Sequence, residues 1–258
     1  MSIDLAVDDD GIALITINRP EKANALDPEH YAALSQRWIT VRDDPAIRAA
    51  IITGAGERVF CAGADLRATI GRERQLSELW LTQQGQLLNR GLEVWKPIIA
   101  AVNGACIGGG MTLLLATDIR VAVPEATFGL AEVKRGIIAA NGGTQRIMSQ
   151  LPYPIAMELL LTGDALTAEA AQRWGMLNAV CPREELLDRA FEYARKIAAN
   201  APLAVQAAKE LAIRSRDVSL AEGLRFEQLV NAILQRSEDV QEGREAFAKK
   251  RPPKFRGR

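Results

Sequence analysis

Apolar and polar positions alternate through Gly11-Ile12-Ala13-Leu14-Ile15-Thr16-Ile17, the pattern of a half-buried strand. Residues 49–53 and 98–102 are near-continuous apolar runs, as expected for strands covered on both faces. Ile119-Arg120-Val121-Ala122-Val123 reads as a further strand. Asp27-Pro28 supplies an N-cap acid and a first-turn proline, and predicts a helix to about Arg42. The polar stretch 66–95, rich in Arg and Gln, also predicts helix. After Gly143 helical patterns dominate, and Ser219-Leu220-Ala221-Glu222 is a capping-box sequence opening a helix toward Gln235. Strands with crossover helices followed by a helical C-terminal third define an α/β chain without linker, repeat or low-complexity segment. Periodicity alone reaches no further than that class.

Composition narrows the function. The 258 residues are 48% hydrophobic and 25% charged, so one sizeable core is expected. Lys plus Arg and Asp plus Glu balance at 32 each, which leaves no global field favouring nucleic acid or membrane. Neither a signal-like apolar core near Met1 nor a run long enough to span a bilayer is expected. Cys61, Cys106 and Cys181 are odd in number and lack metal-ligand spacing, which fits a reduced, cytoplasmic setting and no metal. His30 is the single histidine, in the first turn of a predicted helix, where a structural role is the simplest reading.

Two glycine-bearing stretches carry the candidate chemistry. Cys61-Ala62-Gly63-Ala64-Asp65-Leu66 and Asn103-Gly104-Ala105-Cys106-Ile107-Gly108-Gly109-Gly110 each follow a strand-like run and lead toward a helix. Small residues there let backbone N–H groups approach a ligand closely. Two such donors converging on a carbonyl oxygen form an oxyanion hole. Close strand–helix packing is the alternative use of the glycine triplet.

Both stretches resemble the crotonase (enoyl-CoA hydratase/isomerase) superfamily. So do Asn18-Arg19-Pro20 with Asn24-Ala25-Leu26, Lys96-Pro97, Asp118-Ile119-Arg120, Phe128-Gly129, Gly142-Gly143-Thr144-Gln145-Arg146 and Leu161-Thr162-Gly163. The resemblance spans nearly the whole chain. It implies a spiral of ββα units over residues 1–195, carrying the coenzyme A and active sites. Residues 196–258 would form a helical region for trimerisation and coenzyme A contact. Coenzyme A enters as part of an acyl-CoA substrate, with no separate cofactor, and the assembly implied is a homotrimer or homohexamer.

The resemblance makes the N–H groups of Ala64 and Gly109 the oxyanion donors and Glu132 the acid/base. An isolated glutamate would otherwise read as a solvated loop position. It places Ala62, Ala64, Asp65, Leu66 and Arg67 against coenzyme A. Phe247 and Lys250 match positions near its adenine, often across a subunit interface. The C-terminal run from Lys249 to Arg258 has six basic residues and no acid, suited to phosphates or simply a solvated, partly disordered tail.

The main departure is Thr112, where the family's hydratases carry a second glutamate. Threonine can bind water but cannot take its proton near neutrality. One carboxylate suffices for a double-bond shift, so enoyl-CoA isomerisation is the leading expectation. Hydration or dehydration with water held by Thr112 and Glu132 is the alternative. A non-catalytic coenzyme A-binding protein is a third reading, disfavoured by Glu132. The segment 136–141 carries no aspartate, which disfavours dienoyl isomerisation and dehalogenation. Lys134, Arg135 and Asn141 give that loop a polar character suited to solvent or to a polar acyl group. Leu76, Leu79, Trp80, Leu87 and Leu88 show helical spacing and could line an acyl pocket or simply the core.

Overall fold

A computed structural model of the chain describes residues 3–69 and 87–258. Strands β1 (Ile3–Val7) and β2 (Ile12–Ile17) form an antiparallel hairpin. Helix α1 (Pro28–Asp43) starts where the sequence predicts: the Asp27 side chain accepts from His30 N–H and lies 2.6 Å from the His30 ring nitrogen. The single histidine is thus part of a helix start.

From there the chain alternates between two sheets. β3 (Ala49–Gly54), β5 (Ile98–Val102) and β7 (Ile119–Ala122) join a six-stranded sheet of order β1-β2-β3-β5-β7-β10. β4 (Val59–Cys61), β6 (Ala105–Ile107) and β8 (Thr127–Gly129) join a four-stranded sheet of order β4-β6-β8-β9. Each turn of the chain therefore lays one strand in each sheet. Helices α2 (Leu66–Thr69) and α3 (Gly109–Leu114) follow the second strands of the first two turns. This is the ββα spiral. Every residue of β3 and β5 is buried, which explains their apolar runs.

Helices α4 (Gly143–Gln150), α5 (Tyr153–Thr162) and α6 (Ala168–Arg173) follow, with β9 (Ala165–Thr167) and β10 (Ala179–Val180) completing the sheets. Helix α7 (Leu186–Ala198) turns Leu186, Ala190, Ala194 and Ala198 inward, and packs on β3, β5 and β7. Its small residues at every fourth position let the helix lie close to the sheet. Residue 195 lies within this helix.

Helices α8 (Pro202–Arg214), α9 (Leu220–Leu234) and α10 (Glu238–Ala248) form the C-terminal region. The Ser219–Glu222 capping box is present. Neither α8 nor α9 has a buried residue, and Leu220, Leu224, Leu229 and Ile233 are exposed.

Two expectations are corrected. Residues 66–95 are not one helical stretch: Leu66–Thr69 is helical, but Leu88–Arg90 is a single 3₁₀ turn. Gly91, at φ 87°, ends that turn in the left-handed region, and Pro97 follows at the start of β5. Leu87 and Leu88 belong to the core, while Leu76, Leu79 and Trp80 lie outside the described residues. The C-terminal tail is solvated at most of its positions, as one reading had it, but it is not disordered. Buried Asp239 accepts from Arg256 N–H (2.7 Å) and Gly257 N–H (2.8 Å), and Arg48 donates to Phe255 O (2.7 Å). Lys249, Arg251 and Arg258 pair with Glu245, Glu242 and Glu238, so much of the tail's basicity is neutralised locally.

Candidate active site

β4, β6 and β8 are parallel neighbours, so their carboxyl ends open on one edge of the smaller sheet. Each end supplies one part of the site. The first is Ala64, paired with Leu26 in a parallel bridge. Leu26 N–H donates to Gly63 O (2.8 Å) and Asp65 N–H donates to Leu26 O (2.9 Å). In that pattern the central residue, Ala64, turns its own N–H away from Leu26.

The second part is Gly109. Gly108, at φ 57° and ψ −121°, caps α3, so Gly109 is the first helical residue and its N–H has no partner within the helix. As the first helical residue, Gly109 lies at the positive end of the helix dipole. Gly108 N–H donates to Gly129 O (2.9 Å), tying this loop to β8. The first two loops touch: a methyl group on Gly63 would stand 2.5 Å from the Gly109 nitrogen, and one on Gly110 would collide with the Cys61 carbonyl. Neither Ala64 N–H nor Gly109 N–H donates to another described residue.

Three motifs noted for resemblance position these loops. Asn24 is fully buried; its Nδ2 donates to Ala55 O and Val59 O, and its Oδ1 accepts from Arg19 N–H. Arg19 pairs with Asp65 (3.0 Å) and Asp27 (3.3 Å). Asn103 accepts from Gly54 N–H and donates to Gly56 O. Side-chain amides thus replace ladder hydrogen bonds where the chain leaves one sheet for the other.

The third part is Glu132, in the first turn of a 3₁₀ helix (Ala131–Arg135) after β8. A methyl on Gly108 would lie 3.5 Å from Glu132 Oε1, which places the carboxylate against the second loop. Its Oε2 is buried without a hydrogen-bond partner among the described residues, and burial pushes its pKa above the ordinary glutamate value. A partly desolvated base beside unpaired N–H donors can move a proton at carbon while the donors hold negative charge on oxygen.

Thr112 is 1% exposed, and its hydroxyl is committed: it donates to Gly109 O (3.0 Å) and accepts from Asn89 Nδ2 (2.9 Å). Asn89, 6% exposed, keeps its Oδ1 unpartnered. Sequence reasoning missed Asn89, Arg90 and Tyr31. The Tyr31 hydroxyl would lie 3.2 Å from a methyl on Gly109, and its ring lies 5.3 Å under the Arg90 guanidinium. Burial pushes the Tyr31 phenol up to about 12, with Cys61 and Glu132 acting the same way and Arg90 opposing. The available signal was a polar Asn89-Arg90 pair inside the apolar run from Leu87 to Leu92. Asn141, read as loop polarity, accepts from Arg90 Nε (2.7 Å), whereas Lys134 pairs with exposed Asp164.

Ala62 and Ala64 belong to the first loop, Leu66 and Arg67 begin α2, and the Asp65 carboxylate is held by Arg19. Among the described residues no hydrogen bond or ion pair ties Phe247 or Lys250 to this loop cluster. Phe247 is 88% exposed and lines a groove of about 420 Å³ with Leu203, Leu234, Val240 and Phe255. Cys61 and Cys106 are buried, and burial pushes Cys61 up to about 12, so neither is a poised nucleophile. Among the described residues no group of three His, Cys, Asp or Glu could hold a metal, and no helix is long and apolar enough to cross a membrane.

The two-sheet spiral, with unpaired backbone donors and a half-buried glutamate at one sheet edge, defines an enzyme-like fold of the ββα-spiral class. A family model described as enoyl-CoA hydratase/isomerase matches residues 8–258, and the chain belongs to that family, the crotonase superfamily of enzymes. An (E)-benzylidenesuccinyl-CoA hydratase from Thauera aromatica is 43% identical over 95% of this chain and 96% of its own. A carnitinyl-CoA dehydratase from Salmonella arizonae is 43% identical over 94% of each chain. The crystal structure of an enoyl-CoA hydratase from Bacillus anthracis superimposes with a TM-score of 0.92 at 33% identity, covering 100% of both chains.

Proposed function

We propose that the protein adds water to, or eliminates it from, an α,β-unsaturated acyl-CoA, with Glu132 as its single carboxylate. The observation carrying this is the buried, unpartnered Glu132 Oε2 beside the loop that bears the Gly109 N–H. In hydration the thioester oxygen lies between the N–H groups of Ala64 and Gly109. Glu132 takes a proton from water as the water oxygen bonds to the β-carbon. Electron density moves onto the thioester oxygen as an enolate. Glu132 then gives that proton to the α-carbon, and the thioester carbonyl re-forms. Elimination is the reverse. The Thr112 hydroxyl already spends its proton on Gly109 O, so it can accept from the water but not donate to it. Similarity to proteins named hydratase and dehydratase supports this reading over isomerisation. Ala62, Asp65, Leu66 and Arg67 would line the coenzyme A side, with Phe247 and Lys250 supplied by a neighbouring copy in a trimer or dimer of trimers.

Isomerisation keeps one observation in its favour, the lack of a carboxylate at position 112. Solvent labelling separates the two. Incubating crotonyl-CoA with enzyme in ¹⁸O-water should place label on the β-carbon. Efficient interconversion of 2- and 3-enoyl-CoA without label uptake would replace hydration with the double-bond shift.

A further inference from the structure

Arg90 is held in place by one of its three side-chain nitrogens and by its ring contact. Its Nε donates to Asn141 Oδ1 at 2.7 Å, and its guanidinium stacks 5.3 Å from the Tyr31 ring centre. Asn141 is itself fixed: it takes φ 57°, and its carbonyl accepts from Arg146 Nη1 at 3.0 Å. Arg146 Nη1 also donates to Asn89 O at 3.2 Å, bracing the residue before Arg90. The two terminal nitrogens of Arg90 make no hydrogen bond among the described residues, and no described carboxylate pairs with Arg90 or Arg146. Four N–H donors in a pre-set fork therefore stand open among the described residues.

That fork lies beside the helix start that bears Gly109 and Thr112, the acyl end of the site on the function proposed above. Tyr31 spans the gap: its hydroxyl faces Gly109, and Arg90 lies over its ring. On the other side Asn89 bonds to Thr112 on α3, and Asn141 leads into the Gly142–Gly143 turn, where a methyl on Gly143 would press on Thr112 Cγ2. Arg90 is not the partner of Glu132, whose Oε2 remains unbonded.

We propose that Arg90 reads a carboxylate on the acyl group, so that the preferred substrates are acyl-CoA thioesters carrying a second, free acid. A wholly apolar acyl group would leave a half-buried guanidinium without a counter-charge among the described residues, whereas a carboxylate can take two parallel N–H bonds from it. The location of the acyl group rests on the function proposed above; the charge preference does not depend on turnover.

The test is therefore binding. Saturated succinyl-, glutaryl- and adipyl-CoA, which the enzyme cannot hydrate, are titrated calorimetrically against their terminal-amide counterparts. The acid and amide of each pair share shape and coenzyme. For at least one pair the wild-type enzyme should favour the acid on the order of 10–100-fold, the worth of a charge-assisted hydrogen-bonded pair. Arg90→Gln should bring that ratio near one, and Arg90→Lys, which keeps charge without the fork, should retain part of it. Circular dichroism and retained binding of the amide establish that the variants are folded. If no acid is preferred by wild type, or if Arg90→Gln weakens acid and amide equally, as a contact to the coenzyme's phosphates would, the assignment is overturned. A persisting, Arg90-dependent preference in an enzyme that hydrates none of the matching enoyl thioesters would refute the hydration reading and leave this one standing.

Discussion

A methyl group at residue 63 should disable the site without disturbing Glu132. Gly63 has φ 84°, and its missing side chain makes room for the Gly109 nitrogen, 2.5 Å from where a methyl carbon would sit, with Ile107 O at 3.1 Å. Ordinary contact needs about 3.5 Å, so the two loops would have to part by roughly 1 Å. Both contacts are backbone atoms, anchored by Leu26 on one side and by Gly129 on the other, so no side chain can swing away. Left-handed φ with a Cβ adds about 1–2 kcal/mol of strain. Separating the loops moves the Ala64 and Gly109 donors off a shared oxygen. Losing one such donor costs on the order of 10²–10³ in rate. Gly63→Ala should therefore lower kcat and kcat/KM for an enoyl-CoA together by that factor, measured from the loss of enoyl-thioester absorbance. Gly175→Ala is the control, because Gly175 has φ 78° but nothing within 4 Å of the added methyl. It should lose about 1–2 kcal/mol of stability and no activity. A folded Gly63→Ala enzyme turning over within a few-fold of wild type would refute the convergence of the two donors.

Glu132→Gln should lower turnover by roughly 10²–10⁴ while acyl-CoA binding persists by calorimetry. Because burial raises the Glu132 pKa, hydration should rise with pH through a value above that of an ordinary glutamate, and Glu132→Gln should lack that limb. The native state binds this proton more tightly than the unfolded chain, so Glu132 costs stability as pH rises from the unfolded value through the raised one; Glu132→Gln should melt higher than wild type at neutral pH and equally below pH ~4. Wild type should hydrate crotonyl-CoA slowly, and Thr112→Glu should speed it, since Asn89 Nδ2 offers the new carboxylate a donor; wild-type hydration as fast as that of a two-glutamate enzyme would contradict the single-carboxylate reasoning. Light scattering should give a trimer or hexamer, because Leu220, Leu224, Leu229 and Ile233 leave an apolar face on α9 uncovered; a stable monomer at micromolar concentration would contradict it.

What the sequence made legible was local. Asp27-Pro28 and Ser219–Glu222 are helix starts that a short stretch of chain encodes by itself, and both formed as read. The apolar runs at 49–53 and 98–102 are strands because burial on both faces leaves no alternation. The glycine stretches were legible because backbone approach demands small residues at fixed spacing. The resemblance brought in motifs whose work is structural: Asp118 accepts from Ile98 N–H and Lys209, and buried Arg120 donates to Leu115 and Thr117 carbonyls. What stayed hidden depends on tertiary meeting. Tyr31 comes from α1, Arg90 from a 3₁₀ turn and Asn141 from a loop, and no spacing along the chain announces that they share a corner. The same distance effect hid the fate of the tail, whose basic residues find acids on α10 only after folding.

The arrangement of charge around Tyr31 explains how a cation and a base can share one small site. A guanidinium next to Glu132 would stabilise its carboxylate and lower its pKa, which would weaken it as a base near neutrality. The Glu132 pKa is instead raised, because burial outweighs the opposing pull of the Arg135 guanidinium. Tyr31 senses both groups, Glu132 raising its pKa and Arg90 lowering it, so the phenol stands within the field of each. With its pKa near 12 it stays neutral at any physiological pH and adds no charge of its own. The Ala64 and Gly109 N–H groups, proposed to hold the oxyanion, are neutral as well. On the proposed function, Glu132 would work beside backbone dipoles with only Arg135 pulling on its charge, while Arg90 would be kept for the far end of the substrate. Replacing Tyr31 with phenylalanine would keep the ring under Arg90 and remove only the hydroxyl beside Gly109, so any loss should appear in turnover and not in the acid-over-amide binding ratio.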